Sequence, residues 1–223
     1  MPRERYQDSL DELRADVLAM GDRVIEQFER SLDAVERRDE SLAQEVVDGD
    51  AAVNETYLRL EDRCVDLFAL QQPVAGDLRF VTASFKIITD LERIGDLAVN
   101  LADYLRTATQ TLSPEVQLDA IGDAVRSLIG RSLAAYEIED AAACRAVAAD
   151  DDEIDALCQR ASESVTRDLI AGTDGDGWEV ERLLDDVSRV LLTIRDLERV
   201  ADHAVNIAAR TLYMVENDPE LLY

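Results

Sequence analysis

Apolar residues along this chain recur at alternating steps of three and four, and no segment alternates convincingly at period two. That spacing lays an apolar stripe on each of a series of α-helices. Leu10, Leu13, Val17, Met20, Val24, Phe28, Leu32 and Val35 mark the first helix, and Asp39 is placed to cap the second. The second runs through Val46, Val53, Tyr57, Leu60, Cys64 and Leu67 to a break at Gln72-Pro73. The third carries Leu78, Val81, Phe85, Ile88, Val99 and Ala102. Ser113-Pro114-Glu115 then reads as cap, first helical position and acidic first turn of a new helix. Leu118, Ile121, Val125 and Leu128 form the fourth stripe, Asp140 opens the fifth, and Leu184, Val187, Leu191 and Ile194 lie on a sixth that begins near Trp178. The pattern predicts an all-α protein of six long helices.

The stripes repeat. Residues 90–102 and 196–208 are identical at nine of thirteen positions at an offset of 106, both reading Asp-Leu-Glu-Arg, then Asp, then Ala-Val-Asn. Gly21-Asp22, Val24, Arg30-Ser31-Leu32, Asp39, Val46 and Asp50 match Gly122-Asp123, Val125, Arg131-Ser132-Leu133, Asp140, Val147 and Asp151 at an offset of 101. The five-residue difference falls naturally in the Gly-rich stretch 172–178. Self-similarity at a fixed offset marks a duplicated unit. The chain therefore divides into two homologous three-helix bundles, 1–112 and 113–223.

Tracing each stripe leads to residues of the wrong chemistry. The line 78, 81, 85, 88, 92 ends on Glu92, and the line 184, 187, 191, 194, 198 ends on Glu198. The lines 46, 50, 53, 57 and 147, 151, 154, 158 pass through Asp50 and Asp151. An unpaired ionised carboxylate in a bundle interior costs several kcal/mol. Each also has an oxygen-bearing neighbour one turn on: Asp96, Asp202, Asn54 and Asp155. Residues four apart share a helix face, so like charges there repel and a cation converts the repulsion into binding. Carboxylate and amide oxygens suit hard cations such as Mg²⁺, Ca²⁺, Mn²⁺ or iron. Neutralisation by Arg93 and Arg199, or a place on the wet edge of the stripe, are the structural alternatives. Sequence alone leaves open whether the second helix meets the third or reaches across to the sixth.

Charge narrows the partners. The chain carries 49 acidic and 23 basic residues, a net charge of −26, and its single Lys is Lys86. Such a surface repels nucleic acid and anionic membranes, and the near-absence of Lys favours adaptation to a high-salt cytoplasm over an ordinary acidic mesophile protein. Three cysteines, Cys64, Cys144 and Cys158, are too few and too scattered for a disulfide framework or a Cys zinc site, and fit a reducing interior. There is no export signal and no membrane-spanning run, so the chain reads as cytoplasmic.

No catalytic residues stand out. Helical pyrophosphohydrolases hold Mg²⁺ through Glu-x-x-Glu and Glu-x-x-Asp spacings that the stripes lack, and di-iron enzymes need Glu-x-x-His pairs. The one histidine, His203, follows Asp202 and reads as solvent-exposed, with a ligand role the alternative. Asp174-Gly-Asp-Gly177 hints at a calcium loop but lacks the closing Glu.

These motifs resemble the phosphate-uptake regulator family, PhoU. The resemblance covers nearly the whole chain: two three-helix repeats, Gln72-Pro73 leading to Asp77-Leu78-Arg79, and the Leu-Glu-Arg blocks at 91–96 and 197–202. It implies two bundles side by side, each holding iron, zinc, manganese or magnesium on its surface through Glu/Asp-x-x-x-Asp pairs. The matching positions are Glu92 and Asp96, Glu198 and Asp202, Asp50 and Asn54, Asp151 and Asp155, with Asp77 a further candidate. Asn54 replaces an acid and Asp77 has Leu183 as its mate, so the two sites are expected to be unequal. The resemblance implies a non-enzymatic repressor of phosphate uptake and of the phosphate-starvation response. It would act on a phosphate transporter's cytoplasmic ATPase and, in bacteria, on a sensor histidine kinase, reaching the membrane only through such partners. The oligomeric state stays open, a homodimer included. A metal-dependent phosphohydrolase and a metal-free helical adaptor are the competing readings.

Overall fold

The computed structural model describes residues 2–70, 75–107, 118–171 and 177–222. Six helices account for most of them: α1 (Pro2–Arg37), α2 (Glu40–Leu70), α3 (Ala75–Thr107), α4 (Leu118–Ile138), α5 (Ala141–Ala171) and α6 (Gly177–Glu216). No strand occurs among the described residues. The Gln72-Pro73 break, the Ser113-Pro114 junction, the boundary between the halves and the Asp174–Asp176 part of the suspected calcium loop lie outside them.

The α1–α2 and α4–α5 corners show how literally the halves repeat. Arg38 and Glu139 take left-handed conformations, φ 53° and 57°, and end the preceding helices. The amide of the next residue then donates back across the turn, Asp39 to the Ala34 carbonyl and Asp140 to the Ala135 carbonyl, each at 3.0 Å. The same two aspartates cap the helices they precede. Asp39 Oδ1 accepts from the amides of Ser41 and Leu42, and Asp140 Oδ1 from those of Ala142 and Ala143. Both caps stand where the sequence put them.

Each half folds its three helices together, and the halves join through α3 against α6 and α1 against α4. The two bundles share one continuous core: Leu13, Val17 and Met20 of α1, Ile87, Ile88 and Leu91 of α3, Leu128 of α4, and Leu197, Val200 and Ile207 of α6. Where α1 crosses α4, each helix sets a glycine against a leucine of the other. A Cβ on Gly21 would lie 2.5 Å from Leu133 Cδ1, and one on Gly122 would lie 2.8 Å from Leu32 Cδ1. All three cysteines are free and buried.

The apolar stripes of α3 and α6 are not buried evenly. On α3, Val81, Ile88 and Ala102 are fully buried, whereas Leu78 is 44% exposed and Phe85 and Val99 are half-buried; on α6, Ile194, Ala201 and Ala208 are buried, whereas Leu184 is 47% exposed and Leu191 and Val205 are half-buried. Positions seven apart share one face of a helix, so Glu92 lies on the wetter line 78, 85, 92, 99 and Glu198 on its counterpart 184, 191, 198, 205. Glu92 is accordingly 18% exposed at its side chain, and Glu198, Asp202 and Asp155 are exposed. The carboxylates line open grooves, not a sealed interior.

Candidate metal centre

Helix α2 meets α3, and α5 meets α6. Asp50 Oδ1 would lie only 3.7 Å from a Cβ at Gly95, the residue between Glu92 and Asp96 on α3. Val53 and Gln27 approach the same point at 3.3 Å, so the missing side chain at Gly95 lets α2 settle there. Its mate Ala201 is buried and does carry a methyl group. On the other side, the charges of Glu198 and Asp202 act on Asp151. Each acidic cluster is thus confined to one half.

In the first groove the carboxylates already have partners. Asn54 Nδ2 donates to Asp50 Oδ2 at 2.7 Å, and Gln27 Nε2 donates to Asp50 Oδ1 at 3.2 Å. Arg93 reaches Asp96 at 3.1 Å and Glu92 at 3.5 Å. The carboxyl of Glu92 is pushed above its usual range by burial, then by Asp96 and Asp50, against the opposing charges of Arg93 and His203. Neutralisation by arginine therefore describes this half.

The second groove lacks those partners. Asp155 stands where Asn54 does, and Leu128 stands where Gln27 does. Asp151 Oδ1 is buried with no hydrogen-bond partner. Burial, followed by the charges of Asp155, Asp202, Asp152 and Glu198, pushes the Asp151 carboxyl up to about 6. Glu198 and Asp202 are pushed up as well, by burial first and Asp155 next. Beneath the cluster, burial and then the charges of Glu198, Asp155, Asp151 and Asp202 push the Cys158 thiol up to about 12. Arg199 turns to Asp196 at 3.4 Å, and no ion pair between it and Glu198 or Asp202 forms among the described residues.

The rest of the repeated block does other work. Asp90 is hydrogen-bonded to His203 Nδ1 at 2.9 Å and accepts from Asn206 at 3.4 Å. Reciprocally, Asp196 accepts from Tyr104 at 2.9 Å and from Asn100 at 3.5 Å, with Arg195 at 2.9 Å. The outer Asp and the Asn of each copy thus tie α3 to α6, while the inner Glu and Asp face the hairpin partner. Sequence reading missed Asp90 and Asp196, although both repeat. It also missed Gln27, whose signal was its replacement by Leu128. His203 is not solvent-exposed but half-buried against Asp90.

Asp77 does not join either cluster. It lies in the first turn of α3, where its charge acts on Tyr6. Fifteen residues of helix separate it from Glu92, about 22 Å. The other predicted residues do gather by halves, but their oxygens flank the grooves rather than converge. Among the described residues no three His, Cys, Asp or Glu side chains form a group that would hold a metal ion as they stand.

Comparison with known proteins agrees with this architecture. A PhoU crystal structure from Streptococcus pneumoniae superposes with a TM-score of 0.86 at 27% identity, covering 96% of this chain and 98% of that one. PhoU from Pseudomonas aeruginosa gives 0.84 at 29% identity, covering 96% and 100%. The phosphate-specific transport system accessory protein PhoU homolog of Pseudomonas putida is 33% identical over 95% of this chain and 81% of its own length. PhoU homolog 1 of Methanothermobacter thermautotrophicus is 30% identical over 96% and 95%. With the PhoU domain model matching residues 17–105 and again 118–211, once in each half, the chain belongs to the PhoU family.

Proposed function

We propose that this protein is a metal-binding negative regulator of phosphate uptake and phosphate-starvation signalling. It works in the cytoplasm on the ATPase of a phosphate transporter and, where one is present, on a sensor histidine kinase. The phosphate role rests on the relatives' names as accessory and regulatory proteins of phosphate transport. Repression as its sign rests on the family resemblance. No helix among the described residues is long and apolar enough to cross a membrane.

The observation that carries metal binding is the orphaned Asp151 Oδ1 amid Asp155, Glu198 and Asp202. The donor set is all oxygen and fits a hard cation: iron, manganese, magnesium or, with less preference, zinc. Asp151, Asp155, Glu198 and Asp202 would hold it after turning inward, and it would supply the positive charge that this groove lacks, joining α5 to α6. Asp50, Glu92 and Asp96, with Asn54, would hold a second ion only by giving up hydrogen bonds to Gln27, Asn54 and Arg93. In the first groove Asp50 already has donors in Asn54 and Gln27, which supports the adaptor reading for that half, although Gln27 Oε1 is itself buried without a partner.

Two measurements test this. Deleting the gene should leave phosphate uptake and starvation genes active when phosphate is plentiful; unchanged regulation contradicts the regulatory role. Protein purified without chelator should carry iron, manganese, magnesium or zinc and melt higher with metal in excess, as binding to the folded state requires. Metal-free protein with no thermal shift contradicts the metal role.

A further inference from the structure

A duplicated fold supplies its own control for which surface residues the fold demands. On the outward side of α2, Leu58 is 58% exposed and Val65 52% exposed. Seven residues apart, they share one helix face about 10 Å from each other. Phe68, 37% exposed, continues the patch toward the hairpin end, where Leu78 of antiparallel α3 is 44% exposed. At the offset of 101, Gln159 of α5 stands for Leu58 and Thr166 for Val65, whereas Phe68 answers to Leu169, and Leu78, at the offset of 106, answers to the exposed Leu184 of α6. The positions of Leu58 and Val65, the centre of the patch, are thus served by polar residues in the sister half, so packing does not call for Leu and Val there. An exposed apolar patch that folding does not require is characteristic of an interaction surface.

The border of the patch states what kind of partner fits. Glu55, Glu61, Asp62 and Asp66 surround it, and none forms an ion pair among the described residues. The arginines of α2 turn the other way: Arg59 lies 3.6 Å from Asp16 of α1, and Arg63 lies 2.5 Å from Glu12 and 2.6 Å from Asp16. An apolar strip inside an acidic border is complementary to a helix with an apolar face flanked by Lys or Arg. A second copy of this chain would bring the same acids face to face on molecules of net charge −26.

We propose that the outward face of α2, with the adjoining end of α3, docks a basic amphipathic helix of a partner protein. Leu58, Val65 and Phe68 receive the apolar face, and Glu55, Asp62 and Asp66 set its charge. This deepens the regulator reading by giving it a contact surface, and it depends on neither bound metal nor phosphate.

The test uses the full chain and two synthetic helical peptides of about twenty residues. Both have the same Leu face; one is flanked by Lys and Arg, the other by Glu. Fluorescence anisotropy should show the basic peptide binding at least about tenfold more tightly than the acidic one, and less tightly as salt rises. Leu58→Gln with Val65→Thr, copying α5, should weaken the basic peptide about tenfold while leaving the melting temperature unchanged. Should that variant melt early, Asp62→Asn with Asp66→Asn, which leaves the apolar centre intact, should still weaken binding and flatten its salt dependence. Equal binding of the two peptides, indifference to both pairs of substitutions, or Leu58- and Val65-dependent self-association in sedimentation would overturn the proposal. Those failures would leave the metal and phosphate tests untouched.

Discussion

Asp50 and Asp151 occupy the same place in the two halves and have opposite surroundings. Asp50 accepts hydrogen bonds from Asn54 and Gln27 and sits beside a groove wall that carries Arg93. Asp151 faces Asp155 and leaves one oxygen without a partner, because Leu128 replaces the donor that Gln27 supplies. Two substitutions on one backbone, an amide for a carboxylate and a glutamine for a leucine, decide whether the carboxylate finds its donors within the protein or keeps an oxygen without one. Desolvation sets the difference: a buried oxygen without a donor costs free energy that a hydrogen bond or a cation removes.

The α3–α6 seam should show the largest contrast between the halves. Asp196 is fully buried and holds Tyr104, Asn100 and Arg195, whereas Asp90, 14% exposed at its side chain, holds His203 and Asn206. Asp196→Ala should cost about 2 kcal/mol in urea denaturation and Asp90→Ala about 1, the arginines around Asp196 being solvated enough to soften its loss. Equal costs would mean that the seam is used symmetrically.

The crossing glycines give the next largest difference. A methyl group at Gly21 meets Leu133, which is 5% exposed and held by its neighbours. At Gly122 it meets Leu32, which borders a cavity of about 300 Å³ between α1 and α4 and can move into it. Overpacking costs about 1–3 kcal/mol and helix propensity returns about 1. Gly21→Ala should therefore destabilise by about 1 kcal/mol while Gly122→Ala stays near neutral. The reverse order in thermal melts would show that the cavity gives no freedom.

A smaller effect belongs to pH. Folded Asp151 titrates at about 6, above its ordinary 3.8, so between those values the folded chain keeps a proton that the unfolded chain has released. Ionising it costs stability, so in metal-free protein its contribution is favourable at low pH and is lost as pH rises toward 6 and just beyond. Asp151→Asn should flatten the dependence of stability on pH across that window relative to wild type. An unchanged slope would show that the carboxylate is not confined as described. Saturating metal should reverse the trend, since ligands bind deprotonated.

The helices and their caps were legible because they are local. Asp39 and Asp140 cap through residues two and three away, and the apolar stripes are read along one helix. The pairing of α2 with α3 was not legible, because it depends on contacts between helices that periodicity along one helix does not encode. The same gap hid Gln27: only once α1, α2 and α3 are together does its amide stand next to Asp50. Asp77 entered through a motif adjacent in sequence but far from Glu92 along a rigid helix. Glu92 and Glu198 were expected deeper than they are, because a stripe traced in steps of three and four joins two lines of positions, and periodicity does not say which one lies at the wet edge.

Metal content per chain tests the central asymmetry most directly. Wild type, Asp50→Asn and Asp151→Asn are to be loaded with the same metal, dialysed together and analysed for bound ions. The account predicts that Asp151→Asn loses the larger share, because it weakens the groove with four carboxylates and an oxygen without a donor, whereas Asp50→Asn alters a carboxylate that Asn54 and Gln27 already satisfy. Equal losses, or a larger loss from Asp50→Asn, would contradict it.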